Sequence, residues 1–331
     1  MNILYPENGK IFIPEGDYTT DHARRVKQGF SFIANELIAE GKDNSMLSVN
    51  TSENKQIWGA GTVTIGEELK LKINLTGASE IWPYKTSGNA ITNAKIKVTN
   101  GAQPLANQRV KITITRVDKS GGHDHTNSPD QTLWGRISVN GIKGNPVTAY
   151  TDQKGEITTE EIRSSEFGGE YFVEAYLESN PSIKDKVDLL VRVGGLQPLP
   201  ASSYYELIGT RDHHLCQSSI PTSLHNFNHF GEPKLITAIT KLALTYHLYF
   251  NVKIHINDMS IEYGGKFDTN NLWFGDHAEH RTGKNVDLAF KTSNNQNECL
   301  YVNKRYLKEL VVKYSDDRLL IHNDHYHMRI K

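Results

Sequence analysis

The sequence predicts a multidomain chain: an N-terminal helical segment, an all-β sandwich and a C-terminal α+β domain. Three observations carry this. A length of 331 residues corresponds to about two domains of roughly 100–200 residues each. The apolar period changes from helical to strict alternation near Thr62, and becomes mixed after about Tyr204. Eleven of the 14 histidines fall after residue 200, which sets the last region apart, because histidine is the commonest metal ligand and titrates near neutrality.

Residues 1–58 carry one helix signal. Thr20 or Asp21 can cap it, Val26, Phe30, Ile33 and Leu37 recur at three- and four-residue steps, and Gly41 ends it. This amphipathic stripe reads as a helix packed on its neighbouring domain. Residues 59–195 follow a two-residue period. Leu69, Leu71, Ile73 and Leu75 alternate with charged or polar residues, as do Ala94, Ile96 and Val98, then Val110, Ile112 and Ile114, and later the runs 169–177 and 187–193. Half-buried antiparallel strands have this pattern, and turn clusters such as Asn100-Gly101 separate them, so the segment predicts a β-sandwich. Residues 196–203 are uncharged and, with Gly194 and Gly195 just before them, read as an interdomain linker. From residue 204 to 331 a helix is predicted over 234–248 and another over 307–312, with strands at 252–256, 286–290 and 325–330, which makes an α+β domain.

Charge excludes some functions. Lys and Arg number 37 against 38 Asp and Glu, for a net charge of −1, which argues against a broad basic face for nucleic acid or anionic membrane. No stretch approaches the roughly 20 apolar residues of a membrane span. The N-terminus lacks the basic stretch and apolar run of a secretory signal peptide. A cytoplasmic protein, export without such a signal, and a missing leader all remain open. Cys216 and Cys299 are too few for a disulfide scaffold or a Cys-type zinc ribbon, and leave either one disulfide or two separate thiols.

Two clusters carry chemistry: His277-Ala-Glu-His280-Arg-Thr-Gly283-Lys-Asn-Val-Asp287 and His322-Asn-Asp-His325-Tyr-His327-Met-Arg329. On a strand, His325 and His327 point to one face, roughly 7 Å apart, and His322 can fold over it. Asp287 begins another strand, with Val286 and Leu288 facing the opposite side. One carboxylate and two imidazoles from these clusters make a three-ligand shell with a fourth position for water, the layout of a catalytic zinc site. A third group, His123-Asp124-His125, has two imidazoles but no third ligand nearby in sequence, and reads as a solvated loop.

The two late clusters resemble the LAS metallopeptidases, which include lysostaphin-type enzymes, D-Ala-D-Ala carboxypeptidases and murein endopeptidases, with the hedgehog signalling domain as a relative. They are most similar to penicillin-insensitive murein endopeptidases, with their HxxHxTGxxVD and terminal HxxHxHxR. The resemblance implies a hedgehog/D-Ala-D-Ala-peptidase-like fold for residues 204–331. It implies Zn²⁺ held by His280, Asp287 and His327, with His322 as catalytic base and His325 as proton donor or oxyanion partner. The substrate implied is peptidoglycan stem peptides, cut by a D,D-endopeptidase acting in the periplasm or cell wall. His277 matches the pattern without a role. Glu279 is a rival base, disfavoured because on an extended loop it would point away from its neighbour His280. Asn257-Asp258 and Gly264-Gly265-Lys-Phe267-Asp268 resemble the loop that walls the cleft.

Upstream, Pro104 to Val110, Thr151 to Gly155 and Gly169 to Ala175 resemble bacterial Ig-like domains of the invasin/intimin type, with a long polar insertion at about 118–145 where a hairpin loop is expected. A dock for a wall polymer, a partner protein or a delivery apparatus is the role left open for that domain, with a delivery or immunity protein among the partners considered. The competing reading is a non-catalytic adhesin or binding protein with a zinc-stabilised C-terminal module. Completeness of the histidine pattern favours the enzyme. Which bond is cut and the oligomeric state are left open.

Overall fold

The computed structural model describes residues 16–17, 57–58, 69–208, 228–268, 273, 278–294, 299–315, 320–322 and 325–331. The expected helix over 20–41 lies outside these residues, as do His277 and any pairing of Cys216 with Cys299. The first 58 residues contribute a two-residue ladder, Gly16–Asp17 against Ile57–Trp58. Among the described residues no helix is long and apolar enough to cross a membrane.

The chain is β-rich. The first unit's strands include β1 (Leu69–Leu75), β2 (Ala94–Asn100), β3 (Arg109–Arg116), β4 (Gly135–Val139), β5 (Val147–Tyr150), β6 (Glu156–Thr158), β7 (Glu161–Ser164), β8 (Gly169–Leu177) and β9 (Asn180–Val191). One sheet runs β6-β2-β1; a second runs β5-β3-β8-β9, with Glu80–Ile81 added in parallel beyond β9. Alternation decides what each strand buries. Leu71 and Ile73 of β1 and Ala94, Ile96 and Val98 of β2 share one core with Val110, Ile112 and Ile114 of β3 and Val173, Ala175 and Leu177 of β8. Each such buried Val, Leu or Ile side chain contributes about 1.5–3 kcal/mol. The polar insertion is more structured than a loop. Its strand β4 pairs with Ile142–Gly144 and with β7 in a third sheet, and Trp134, Ile137 and Val139 enter the core.

The second unit has its own core around two helices and a six-stranded sheet. Its elements are β10 (Tyr205–Leu207), α1 (Pro233–Phe250), β11 (Val252–Ile256), β12 (Asn285–Asn294), β13 (Cys299–Tyr301), α2 (Lys304–Tyr314), β14 (Leu320–Ile321) and β15 (His325–Arg329). The sheet runs β10-β11-β12-β15-β14, with β13 on β12. Helix α1 starts at Pro233, whose missing N–H costs nothing there, and stops at Asn251, which is left-handed at φ 52°. Asn303 caps α2, its side chain accepting from the Tyr306 N–H at 3.1 Å. Strands β12 and β15 are antiparallel, with Asp287 opposite His327 and Ala289 opposite His325. The period of two then sorts the faces. Val286, Leu288, Tyr326 and Met328 join the apolar core, and Asp287, His325 and His327 stand on the other side.

Three other histidines have structural roles. His247 Nδ1 lies 3.1 Å from the Val252 carbonyl at the end of α1. His229 Nε2 lies 3.2 Å from the Ile256 carbonyl, and burial pushes its pKa down to about 4. His255 is buried 3.5 Å from Glu206.

The two units meet along a hydrogen-bonded seam. The segment expected as a linker is pinned, Gln197–Pro198 pairing with Phe230–Gly231. Gly168 donates to the Gly264 carbonyl at 3.2 Å, Lys266 N–H to the Glu166 carbonyl at 2.7 Å, and Arg281 Nη2 to Glu166 Oε2 at 3.0 Å. Gly264 and Gly265 have φ of 68° and 81°, the left-handed region that glycine adopts without a side-chain clash. A β-carbon on Gly265 would sit 2.5 Å from the Glu166 carbonyl oxygen. Gly265→Ala is therefore expected to destabilise the chain by about 1–3 kcal/mol, read as a lowered urea midpoint; an unchanged midpoint would contradict this account of the seam.

Candidate metal centre

The register of β12 against β15 assembles the site. Asp287 and His327 are cross-strand partners, and His327 Nδ1 lies 2.8 Å from Asp287 Oδ1. His280 arrives from a one-turn 3₁₀ segment, Ala278–His280, and its Nε2 lies 3.3 Å from Asp287 Oδ2. The three residues are buried and offer donor atoms within 4.8 Å of one another. Their rings and carboxylate converge from three places in the chain; His280 and His327 meet edge to face at 5.2 Å. Ligands at about 2.0–2.1 Å around a tetrahedral zinc stand about 3.3 Å apart, so a buried set of two imidazoles and one carboxylate at these spacings fits that ion.

His325 Nε2 is 3.5 Å from Asp287 Oδ2. His322 stacks on it, centroids 4.4 Å apart and planes 14° from parallel, and lies 6.2 Å from the His327 ring. A backbone hydrogen bond from His322 N–H to the His325 carbonyl, 3.1 Å, closes the turn between them. His322 is exposed while His280 and His327 are buried, so it stands on the solvent side of the cluster. All five residues predicted for the site are brought together.

Burial by itself would raise the Asp287 pKa. The His280 charge, with hydrogen bonds from His280 and His327, overrides burial and holds the carboxyl well below the usual range. For His280, burial works downward, and Asp287 more than offsets it, so the net direction is up. The site is a fixed negative charge ringed by imidazoles, an arrangement suited to a dication.

Glu279 corrects one sequence expectation. The segment is a 3₁₀ turn rather than an extended loop, and Glu279 Oε2 comes within 3.0 Å of His327 Nε2 from a half-exposed position. The reading of 123–125 as a solvated loop is also wrong. His123 is buried, and the third partner is Asp268, from the other unit: His123 Nδ1 to Asp268 Oδ1 is 3.1 Å and His125 Nε2 to Asp268 Oδ2 is 3.4 Å. No local pattern could have shown it, because the partner is remote in sequence. The His-x-His spacing was the one available signal.

Residues 222–331 match the penicillin-insensitive murein endopeptidase family. The match takes in all three residues of the buried triad together with His322 and His325, so the endopeptidase-like segment contains the complete cluster. No curated protein matches the chain. Among solved structures, the D0-D1 domain of intimin shares 17% identity over 40% of this chain and 56% of that one, at a TM-score of 0.24. The Yersinia pseudotuberculosis adhesin InvE shares 10% identity over 85% and 76%, at a TM-score of 0.32. The chain thus spans little more than half of the intimin fragment.

Proposed function

We propose that the chain is a zinc-dependent peptidoglycan hydrolase that cuts an amide bond in stem peptides or their cross-links as a D,D-endopeptidase, acting in the periplasm or cell wall. The observation that carries this reading is the buried His280–Asp287–His327 group lying inside a segment that matches a murein endopeptidase family. These three side chains would hold the metal, which when bound supplies Lewis acidity and a nucleophilic water near neutral pH.

The chain's own residues do the rest. Asp287 keeps its charge and would supply the anionic donor beside the two imidazoles, 2.8 Å from His327 Nδ1. His322, open to solvent, accepts a proton from the attacking water and returns it to the leaving amine. His325 stacks against His322 and, when protonated, donates to the oxygen of the scissile carbonyl as charge develops there. Glu279 is the rival for the base, supported by its 3.0 Å contact with His327.

Purified full-length chain incubated with sacculi is expected to release soluble muropeptides with new free amino and carboxyl ends at a cross-link, seen by mass spectrometry. Zinc-loaded, folded protein that leaves sacculi and isolated cross-linked muropeptides intact would sink the reading in favour of a binding protein.

A further inference from the structure

We propose that His123, His125 and Asp268 form a second metal site that takes one zinc ion and clamps the sandwich insertion to the loop following Gly264-Gly265 in the endopeptidase-like unit. This stands independently of the proposed function, because it uses none of the peptidase-site residues.

Four observations support it. First, the donors converge within 4.8 Å of one another, and the two imidazoles address different oxygens of one carboxylate at 3.1 and 3.4 Å, close to the spacing of about 3.3 Å between ligands on a tetrahedral zinc. Second, the place is shielded from bulk solvent. The side chains of His123 and Asp268 are 0% exposed and that of His125 is 10% exposed. A carboxylate and two imidazoles gathered there match the nitrogen and oxygen donors that zinc accepts.

Third, the donors are held from behind. Trp273 N–H donates to Asp268 Oδ2 at 2.8 Å, and its indole Nε1–H donates to the Thr126 carbonyl at 2.9 Å. The same indole packs 4.8 Å from His123 and 4.2 Å from His125, with Phe167 5.6 Å from His123 on another side. Outer hydrogen bonds and an apolar wall of this kind fix ligand orientation. Fourth, the backbone permits the approach. Gly122 has φ 94°, and a β-carbon there would meet the Glu262 nitrogen at 2.8 Å, so a larger residue would push the His-x-His segment away from the other unit.

Burial argues for a structural clamp: a substrate has no access to the ion. Asp268 directly follows Phe267, which is fully buried, so fixing Asp268 also fixes that loop. A proton bridging the imidazoles and the carboxylate would fill the same space, and the experiment separates the two.

Full-length chain carrying Asp287→Asn and His327→Ala, which disables the peptidase site, is loaded with zinc, freed of excess and assayed for bound metal. One equivalent is expected to remain, and zinc should raise its Tm by several degrees. Adding His125→Ala, or separately His123→Gln, should abolish both the equivalent and the Tm response. A folded double variant that binds no zinc and shows no zinc-dependent Tm overturns the proposal. Should the double variant fail to fold, the unmodified chain decides: two equivalents are expected, with one lost in His125→Ala. A parent chain that holds a single equivalent and keeps it in His125→Ala overturns the clamp. A parent chain whose single equivalent is lost in His125→Ala supports the clamp, and removes metal from the peptidase reading.

Discussion

Asp287→Asn is expected to lower hydrolysis of sacculi by about 10³-fold or more and to release metal from the peptidase site. Asp287 is the common neighbour of the cluster, within 2.8 Å of His327, 3.3 Å of His280 and 3.5 Å of His325. The amide keeps the shape but removes the charge and turns one acceptor into a donor. Metal catalysis supplies several kcal/mol of charge stabilisation, and each 1.36 kcal/mol is tenfold in rate, which sets the size of the loss. The measurement pairs release of soluble muropeptides with metal analysis and circular dichroism on one preparation. A folded variant that has lost the metal yet turns over within about tenfold of the parent would show that the triad is not the catalytic centre.

His322→Gln is expected to retain the metal and lose about 10²–10⁴-fold in turnover, the range of a positioned general base. Its position decides the choice. His322 is exposed and stacked on His325 at 4.4 Å, so it can meet an incoming peptide, while its neighbours are held by Asp287. Glu279→Gln is the comparison, because its carboxylate also reaches the site, 3.0 Å from His327 Nε2. A loss confined to Glu279→Gln, with His322→Gln near parental rates, would move the base to Glu279. The predicted split is in kcat, since metal and folded structure persist in both variants.

Much of the fold was legible because it depends on short-range spacing. The alternation through Leu71 and Ile73, or Ile112 and Ile114, states which face of each strand is buried, and the structure places those residues in one core. Helix α1 is visible from Leu235, Ile239, Leu242 and Tyr246, all buried in the structure. The insertion after Asp118 was harder. Its polar residues hide a hairpin whose few apolar side chains, Trp134, Ile137 and Val139, pack into a core built by distant strands. The conformation around Glu279 differs from the extended loop expected for a local reason: a 3₁₀ turn and an extended loop aim the same side chain differently, and three residues carry too little periodicity to tell them apart.

The sequence by itself determined that His325 and His327 share a face, and that Asp287 faces away from Val286 and Leu288, because side chains alternate along any strand whatever it pairs with. It also carries the two histidine clusters inside residues 222–331, the segment that matches a peptidase family. Only the tertiary structure decided that Asp287 stands directly opposite His327, that Glu279 reaches His327, and that Asp268 closes on His123 and His125. Those contacts come from strand register and from the docking of one unit on another. Both are fixed by burial and hydrogen bonding summed over the whole seam, which leave no mark in the spacing of neighbouring residues.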